Sequence, residues 1–449
     1  MRKINHTMNV DNIVQPYIQA IVNAEPMRVH GKITEVIGLL IESTGPTASV
    51  GDVCKIEKNG KKIGEAEVVG FRQDRTLLMP LGPIEGIHPG LTVVGTKQPL
   101  LIGVAESLLG RVIDGLGQPM DSLGPVKVKS YRSVYSAIPN PLSRKRISEH
   151  FQTGIRAIDS LITIGKGQRI GIFAGSGVGK SVLLGMMARN CKSDVNVIAL
   201  IGERGREVRE FIERDLGEEG LKRSVVVVAT SDQPALIRLK GAMVAASIAE
   251  YFRDLGKDVL FLADSTTRLA QAQREIGLAI GEPPATKGYT PSVFSMLPKF
   301  LERAGTSAKG AITGLFTVLV DGDDMDEPIA DAARSILDGH IVLSRKLAHR
   351  NHFPSIDILE SISRCMSDVV KEEHLKTSGM IKDYMAAYKE NEDLIQIGAY
   401  APGTSERVDK AIRLHEPLLL FLKQMRNEKT TFEESFLKLK ELLKIVGVK

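Results

Sequence analysis

The residues best equipped for chemistry lie in one unbroken stretch, Ala174-Gly175-Ser176-Gly177-Val178-Gly179-Lys180-Ser181. Three glycines let the backbone curl until successive N–H groups converge on one point, the arrangement that cradles phosphate oxygens. Lys180 adds a full positive charge, and the Ser181 hydroxyl is a ligand suited to Mg²⁺. The apolar run Arg169-Ile170-Gly171-Ile172-Phe173 comes before, and residues 182–189 follow at helical spacing. The pattern therefore reads strand, loop, helix, and the helix start contributes partial positive charge to the same point. Ala174 stands where such loops usually open on glycine; because Gly175 follows at once, the loop is expected to be indifferent. The nucleotide-binding residues expected on this basis are Gly175, Ser176, Gly177, Val178, Gly179, Lys180, Ser181 and Val182.

Two carboxylates stand at the ends of strand-like runs. Asp264 closes Val259-Leu260-Phe261-Leu262-Ala263. A carboxylate there can hold Mg²⁺ through water beside a phosphate loop, but Asp is also a good cap for the helical stretch that follows. Glu203 follows Leu200-Ile201-Gly202. Hydrolysis needs a group that takes a proton from, or orients, the attacking water, and a glutamate at a strand's carboxyl end suits that. The competing reading is a solvated charged turn, since Arg204, Arg206 and Glu207 come next. His340, His349 and His352 match no metal-ligand spacing. The acidic run 321–327 lacks the twelve-residue calcium-loop pattern and reads as a charged loop.

These residues must be held by a scaffold, and its texture changes along the chain. Apolar residues at Val10, Ile13, Val14, Tyr17, Ile18 and Ile21 have helical spacing interrupted by Pro16. That helix either packs on its own domain or docks a partner. Short β-like pieces at 32–41, 53–58, 64–71 and 75–80, separated by glycine, proline and Asn59-Gly60, suggest a small barrel. Its only aromatic residue is Phe71, whereas barrels that grip single-stranded nucleic acid stack bases on aromatic faces. From 168 onward, strand-length runs (168–173, 195–202, 224–229, 258–263, 311–320) alternate with helical stretches (206–216, 235–255, 266–276). Such alternation implies α/β architecture with a mostly parallel, doubly wound sheet and chemistry at the strands' carboxyl ends. After about 367, helices take over. The last of them carries the stripe Phe432, Phe436, Leu439, Leu443 and Val446, read as core or hairpin seam rather than partner surface. The expected division is 1–26, a partner-docking segment; 27–97, the barrel; 98–366, the nucleotide domain with a connector over 98–141; and 367–449, a helical domain.

Bulk composition sets bounds on partners and compartment. The 449 residues carry a net charge of +5 and contain 43% hydrophobic residues and three cysteines, Cys54, Cys191 and Cys365. An odd number of widely spaced cysteines argues against a disulfide framework and fits a reducing compartment. Without a signal-like start or an 18-residue apolar run, the expectation is a cytoplasmic protein, and a charge this mild with no dense Lys/Arg run calls for no specific nucleic-acid partner.

The segment Pro354-Ser355-Ile356-Asp357-Ile358-Leu359-Glu360-Ser361-Ile362-Ser363-Arg364 resembles the short signature of the hexameric rotary ATPase subunits. So do residues 202–207 and 323–328. Residues 230–236, 250–254 and 288–294 are similar, more closely still, to the flagellum-specific type III export ATPases within that superfamily. The resemblance implies a RecA-like P-loop core between an N-terminal small β-barrel and a C-terminal helical domain. It implies Mg²⁺-dependent ATP hydrolysis by a homo-hexamer. It gives roles to particular residues: Lys180 on the phosphates, Ser181 and Asp264 toward Mg²⁺, and Glu203 activating water. Arg364 becomes the finger reaching the neighbour's γ-phosphate, with Phe353 and Tyr400 flanking adenine. Taken without it, Phe353 and Tyr400 read as core residues and Arg364 as a surface ion-pair residue. The implied partners are a stator-like regulator at the N-terminal segment, a coiled-coil stalk-like protein in the central channel, export substrates with their chaperones, and a membrane export gate approached peripherally. Virulence-type secretion shares the same motifs and stays open as an alternative. Two further rivals are an RNA-translocating hexamer, disfavoured by the aromatic-poor barrel, and a non-hydrolysing structural subunit, disfavoured by Glu203.

Overall fold

The computed structural model describes residues 30–447 apart from 321 and 323, together with Val14. The expected docking segment over 1–26 lies outside the described residues except for Val14. The chain divides into two compact units, one ending at Gln98 and one beginning at Pro99.

In the first unit six antiparallel strands close on themselves. They are β1 (His30–Ile37), β2 (Leu40–Ser43), β3 (Asp52–Lys58), β4 (Lys61–Arg72), β5 (Arg75–Pro80) and β6 (Thr92–Pro99). The order around the barrel is β1-β2-β5-β4-β3-β6, with β6 returning to β1. Alternate residues point inward, so Ile33, Ile41, Ile56, Val68, Leu78 and Val93 fill the lumen. The single strand expected over 32–41 is in fact two, because Gly38 takes φ +58° and turns the chain between Ile37 and Leu40. Phe71 is 52% exposed. The barrel thus offers one isolated aromatic ring and no stacking platform.

The second unit is built on a nine-stranded sheet. Its main path comprises β7 (Val112–Asp114), β8 (Arg169–Ala174), β9 (Val195–Ile201), β10 (Ser224–Ala229), β11 (Asp258–Asp264), β12 (Ala311–Leu319), β13 (Gly339–Leu343) and β14 (Ile356–Ser363). Across the sheet the order is β14-β13-β8-β12-β11-β9-β10-β7, and the short piece Gly305–Thr306 pairs with β12. Every neighbouring pair on the path is parallel except the edge pair β13–β14. Strands covered on both faces read as continuous apolar runs, which is why β9 (VNVIALI) is buried at every position. The connector expected over 98–141 is more structured than its glycine and proline content implies, since it supplies β7 to the sheet edge.

Helices cover the sheet: α1 (Arg156–Leu161), α2 (Lys180–Asn190), α3 (Ala235–Asp254) and α4 (Thr266–Ile280), followed after the last strand by α5 (Glu372–Gln396), α6 (Glu406–Leu422) and α7 (Phe432–Ile445). Thr431 and Glu434 form a reciprocal cap at the start of α7. The C-terminal stripe is core. Leu439, Leu443 and Val446 are buried in the same cluster as Ile172 and Leu184 of the phosphate-loop region. Phe432 stacks on His150 with centroids 3.9 Å apart, and Phe436 on His374 at 4.3 Å. The C-terminal helices are therefore welded to the nucleotide core by shared packing. Among the described residues no helix is long and apolar enough to cross a membrane.

Candidate active site

The loop between β8 and α2 is held at the sheet's carboxyl edge. Ala174 is fully buried as the last residue of β8, and the left-handed turns fall later, at Gly177 (φ +77°) and Gly179 (φ +89°). An alanine at the loop's first position therefore costs nothing. Lys180 opens α2, and Ser181 beside it is exposed.

The Lys180 ammonium hydrogen-bonds Asp264 Oδ1 and lies 3.7 Å from Glu203 Oε1. Each carboxylate arrives there because strand register brings it. Leu200 of β9 pairs with Asp264 at the end of β11, and β11 pairs in turn with β12. Thr317 of β12 donates to the same Asp264 oxygen at 2.7 Å, giving the carboxylate a second partner. The helix after Asp264 is capped by Ser265, which accepts from Arg268 N at 3.2 Å. Asp264 is thus released from the capping role that its position suggested and faces the lysine instead. Gly202 (φ +72°) turns the chain after β9, and a Cβ there would stand 2.8 Å from Arg268 Cβ. Only glycine fits, and the turn aims Glu203 back at Lys180 rather than into solvent.

Burial pushes the Glu203 carboxyl well above the ordinary carboxylate range; the negative charge of Asp264 pushes the same way and Lys180 partly opposes both. A group that holds its proton more tightly when ionisation is costly is the stronger base once ionised. With Glu203 in its expected role as the group that takes the water's proton, the carboxylate is the active form, and activity would be lost as pH falls through the raised pKa. The acid limb of kcat/KM should accordingly lie above the value of about 4.3 typical of free glutamate. A pH–rate profile whose acid limb sits at that free-glutamate value removes Glu203 from the rate-controlling ionisation.

Phe353 stands against the phosphate loop. A Cβ on Gly179 would lie 3.2 Å from two of its ring carbons, and the ring is 41% exposed. Ser355, two residues on, donates to Val178 O at 2.6 Å and pins this segment to the loop. Tyr400 lies in the connection between α5 and α6. Its hydroxyl donates to Asp409 Oδ1 at 3.0 Å or Ser405 O at 3.1 Å, and among the described residues no bond or ring contact joins it to Phe353. Arg364 is elsewhere again. β14 runs antiparallel to β13, from Ile356 opposite Leu343 to Ser363 opposite Gly339, while Leu343 pairs with Ala174 beside the loop. Arg364 therefore emerges at the far edge of the sheet, level with the start of β8, where its N–H donates to Asp338 O at 3.0 Å. Six strand residues separate the two edges, about 20 Å at the usual rise, well beyond the length of an arginine side chain. Arg364 is exposed and has no acidic partner within ion-pair distance among the described residues.

The donor set near the loop suits a small hard cation: an exposed hydroxyl on Ser181 and a buried carboxylate on Asp264. Among the described residues no group of three or more His, Cys, Asp or Glu side chains gathers into a metal cage. That matches Mg²⁺, which keeps its waters and is held by one or two protein oxygens together with substrate phosphates. Thr317 and Arg268 carried no signal in the sequence, since each acts only through neighbours that strand pairing brings to it.

Comparison with known proteins adds an independent line. The chain matches the model of the ATP synthase alpha/beta family nucleotide-binding domain over residues 154–363. It matches that family's beta-barrel domain over 33–97 and the type III secretion EscN ATPase C-terminal domain over 370–441. It is 54% identical over 430 residues to the flagellum-specific ATP synthase of Bacillus subtilis, covering 95% of this chain and 98% of that one. Among solved structures, the assembled ATPase EscN of the enteropathogenic E. coli type III secretion system superposes with a TM-score of 0.87 at 47% identity, covering 93% of this chain and all of that one. EscN in complex with its central stalk EscO gives 0.86 at 46% identity, covering 92% of this chain and all of that one.

Proposed function

The chain belongs to the ATP synthase alpha/beta family, and from that premise we propose that it hydrolyses ATP as a homo-hexameric ring that energises type III protein export for flagellar assembly. One observation carries the reading: Glu203, Lys180 and Asp264 converge on the phosphate loop while Arg364 stands at the opposite edge of the sheet. A chain laid out in this way has a phosphate-binding edge and a separate cationic edge, and joining the two takes a neighbour.

The mechanism follows from what each side chain can do. The loop N–H groups and Lys180 hold the β- and γ-phosphates, which compete with Asp264 and Glu203 for the lysine ammonium. Ser181 and Asp264 would hold Mg²⁺, which supplies charge neutralisation at the phosphates. Glu203, ionised and partly desolvated, orients a water for in-line attack on the γ-phosphate and accepts its proton. Arg364 of the adjacent copy stabilises the charge that develops on the transferred group. Phe353 and Tyr400 are the aromatic pair proposed for adenine, with Phe353 the one that stands against the loop in the single chain.

The flagellar assignment is supported by 54% identity over 95% of the chain to the flagellum-specific relative, against 51% over 77% of the chain to an ATPase from the type III secretion system of pathogenic bacteria. A virulence-type secretion role is the second reading and is less favoured by that difference. An RNA-translocating role gains no support from a barrel whose only aromatic ring is Phe71. By likeness to the EscN–EscO complex, a coiled-coil stalk-like partner occupies the central channel. A stator-like regulator on residues 1–26, export substrates with chaperones, and peripheral association of a cytoplasmic ring with a membrane export gate complete the proposal.

Hydrolysis measured against protein concentration tests it. The rate is expected to rise more steeply than linearly, because a seam between copies must form before turnover. A rate per molecule that stays constant across the range where single chains assemble would refute a shared site.

A further inference from the structure

Between α6 and α7 the chain crosses beneath Phe353, and a dense polar web holds it there. Arg156, the first residue of α1, is 5% exposed, and its guanidinium donates to Phe421 O at 2.9 Å, to Lys423 O and to the Glu428 carboxylate. Gln424, also 5% exposed, accepts from Arg156 N at 2.9 Å and donates to Gly154 O at 2.8 Å and Glu428 O at 3.1 Å. The side-chain amide is thereby committed at both ends. Its own backbone N–H then donates to Phe353 O at 3.0 Å. The same crossing is tied to the far end of α2, where Arg189 donates to Arg426 O at 2.6 Å and Asn190 to Glu428 O at 3.3 Å.

This buried polar web joins Phe353 directly, through the Gln424 N–H. Phe353 leans on Gly179 from one side and hangs from Gln424 N on the other. We propose that Gln424, clamped by Arg156 and Glu428, is a positioning residue that fixes the height of the Phe353 ring over the phosphate loop and thereby sets affinity for the base of the nucleotide. The inference rests on the preceding reading that nucleotide binds at this loop with its base against Phe353. It also gives the α6–α7 connection a direct mechanical tie to base occupancy, because the residue that holds the ring is part of that connection.

Replacing Gln424 by an apolar side chain of similar length leaves Arg156 N and Gly154 O buried without partners, and the connection must shift to relieve them. In the full-length chain, Gln424→Met should raise KM for ATP about tenfold with kcat changed by less than about twofold, the signature of lost uniform binding. Competitive inhibition by inorganic tripolyphosphate, which has phosphates but no base, should move by less than about twofold. Glu428→Gln, which weakens the Arg156 ion pair but keeps the Glu428 carbonyl held by Gln424, should give a smaller rise of about threefold in KM. Phe353→Ala should reproduce the KM effect, and the double variant should be no worse than Phe353→Ala alone, because both changes remove one contact. If Gln424→Met and Glu428→Gln leave KM for ATP unchanged while Phe353→Ala raises it, the positioning role is wrong and the base contact stands. The role is also overturned if Gln424→Met weakens tripolyphosphate as much as ATP, or if it adds in full to Phe353→Ala. If Phe353→Ala itself leaves KM for ATP unchanged, the base does not rest on that ring, and the inference falls together with the reading beneath it.

Discussion

A Glu203→Gln variant is expected to hydrolyse ATP about 10²–10⁴-fold more slowly than the native chain while still binding it, the range that a positioned acid–base group contributes. The amide keeps the size and much of the hydrogen bonding of the carboxylate but cannot accept the proton of the attacking water. Binding should survive because the proposed phosphate contacts come from the loop backbone and Lys180, whose closest anionic partner is Asp264 and not Glu203. Equilibrium binding of a fluorescent ATP analogue beside a phosphate-release assay separates the two effects. A variant that turns over at the native rate would return Glu203 to the charged-turn reading and revive a structural, non-hydrolysing subunit. Loss of binding together with turnover would instead mark Glu203 as a phosphate-site scaffold.

The second large effect is at the other edge. Arg364→Ala is expected to lower kcat by about 10³–10⁵-fold, the range for removing an arginine that stabilises transferred phosphate charge. The more telling experiment mixes two inactive chains. In a ring assembled from Arg364→Ala and Glu203→Gln copies, some seams pair an intact Glu203 pocket on the first with an intact Arg364 on the second. Hydrolysis should reappear at these seams although neither variant alone has it. If Arg364 acted within its own chain, mixing would recover nothing, since no single copy holds both groups. The roughly 20 Å across β8 between that arginine and its own loop makes recovery the expected result.

Much of the local structure could be read directly from spacing. The five strands expected from apolar runs in the nucleotide domain correspond to β8–β12 within one or two residues at each end, because buried parallel strands leave long uninterrupted apolar stretches. β13 and β14 carry no clear strand signal in the sequence. His340 in the first, and Asp357, Glu360 and Ser361 in the second, break up the apolar pattern, since β14 is an edge strand with one side toward water. The split of residues 32–41 into two barrel strands was hidden for another reason: Gly38 and Leu39 make a turn too short to interrupt the alternation. Lys180, Ser181 and the glycines were legible because they are contiguous and their chemistry is set within eight residues. Phe353 and Arg364 were reached through resemblance alone, since nothing in their immediate neighbours marks them. Gln424 carried no signal, because its partners Arg156 and Phe353 lie far from it in the chain.

By itself the sequence determined that a phosphate loop exists, that an α/β sheet presents it, and that a carboxylate ends each of two strands leading to the same edge. Those properties follow from short-range spacing of glycine, charge and apolar residues. Tertiary structure alone decided that both carboxylates meet one lysine, that Ser265 relieves Asp264 of capping, that Phe353 rather than Tyr400 stands on the loop, and that Arg364 faces away from its own site. The physical reason is register. Parallel strands are joined through crossovers of a dozen residues or more, so which side chains become neighbours depends on how the strands pair, and pairing belongs to the folded core as a whole.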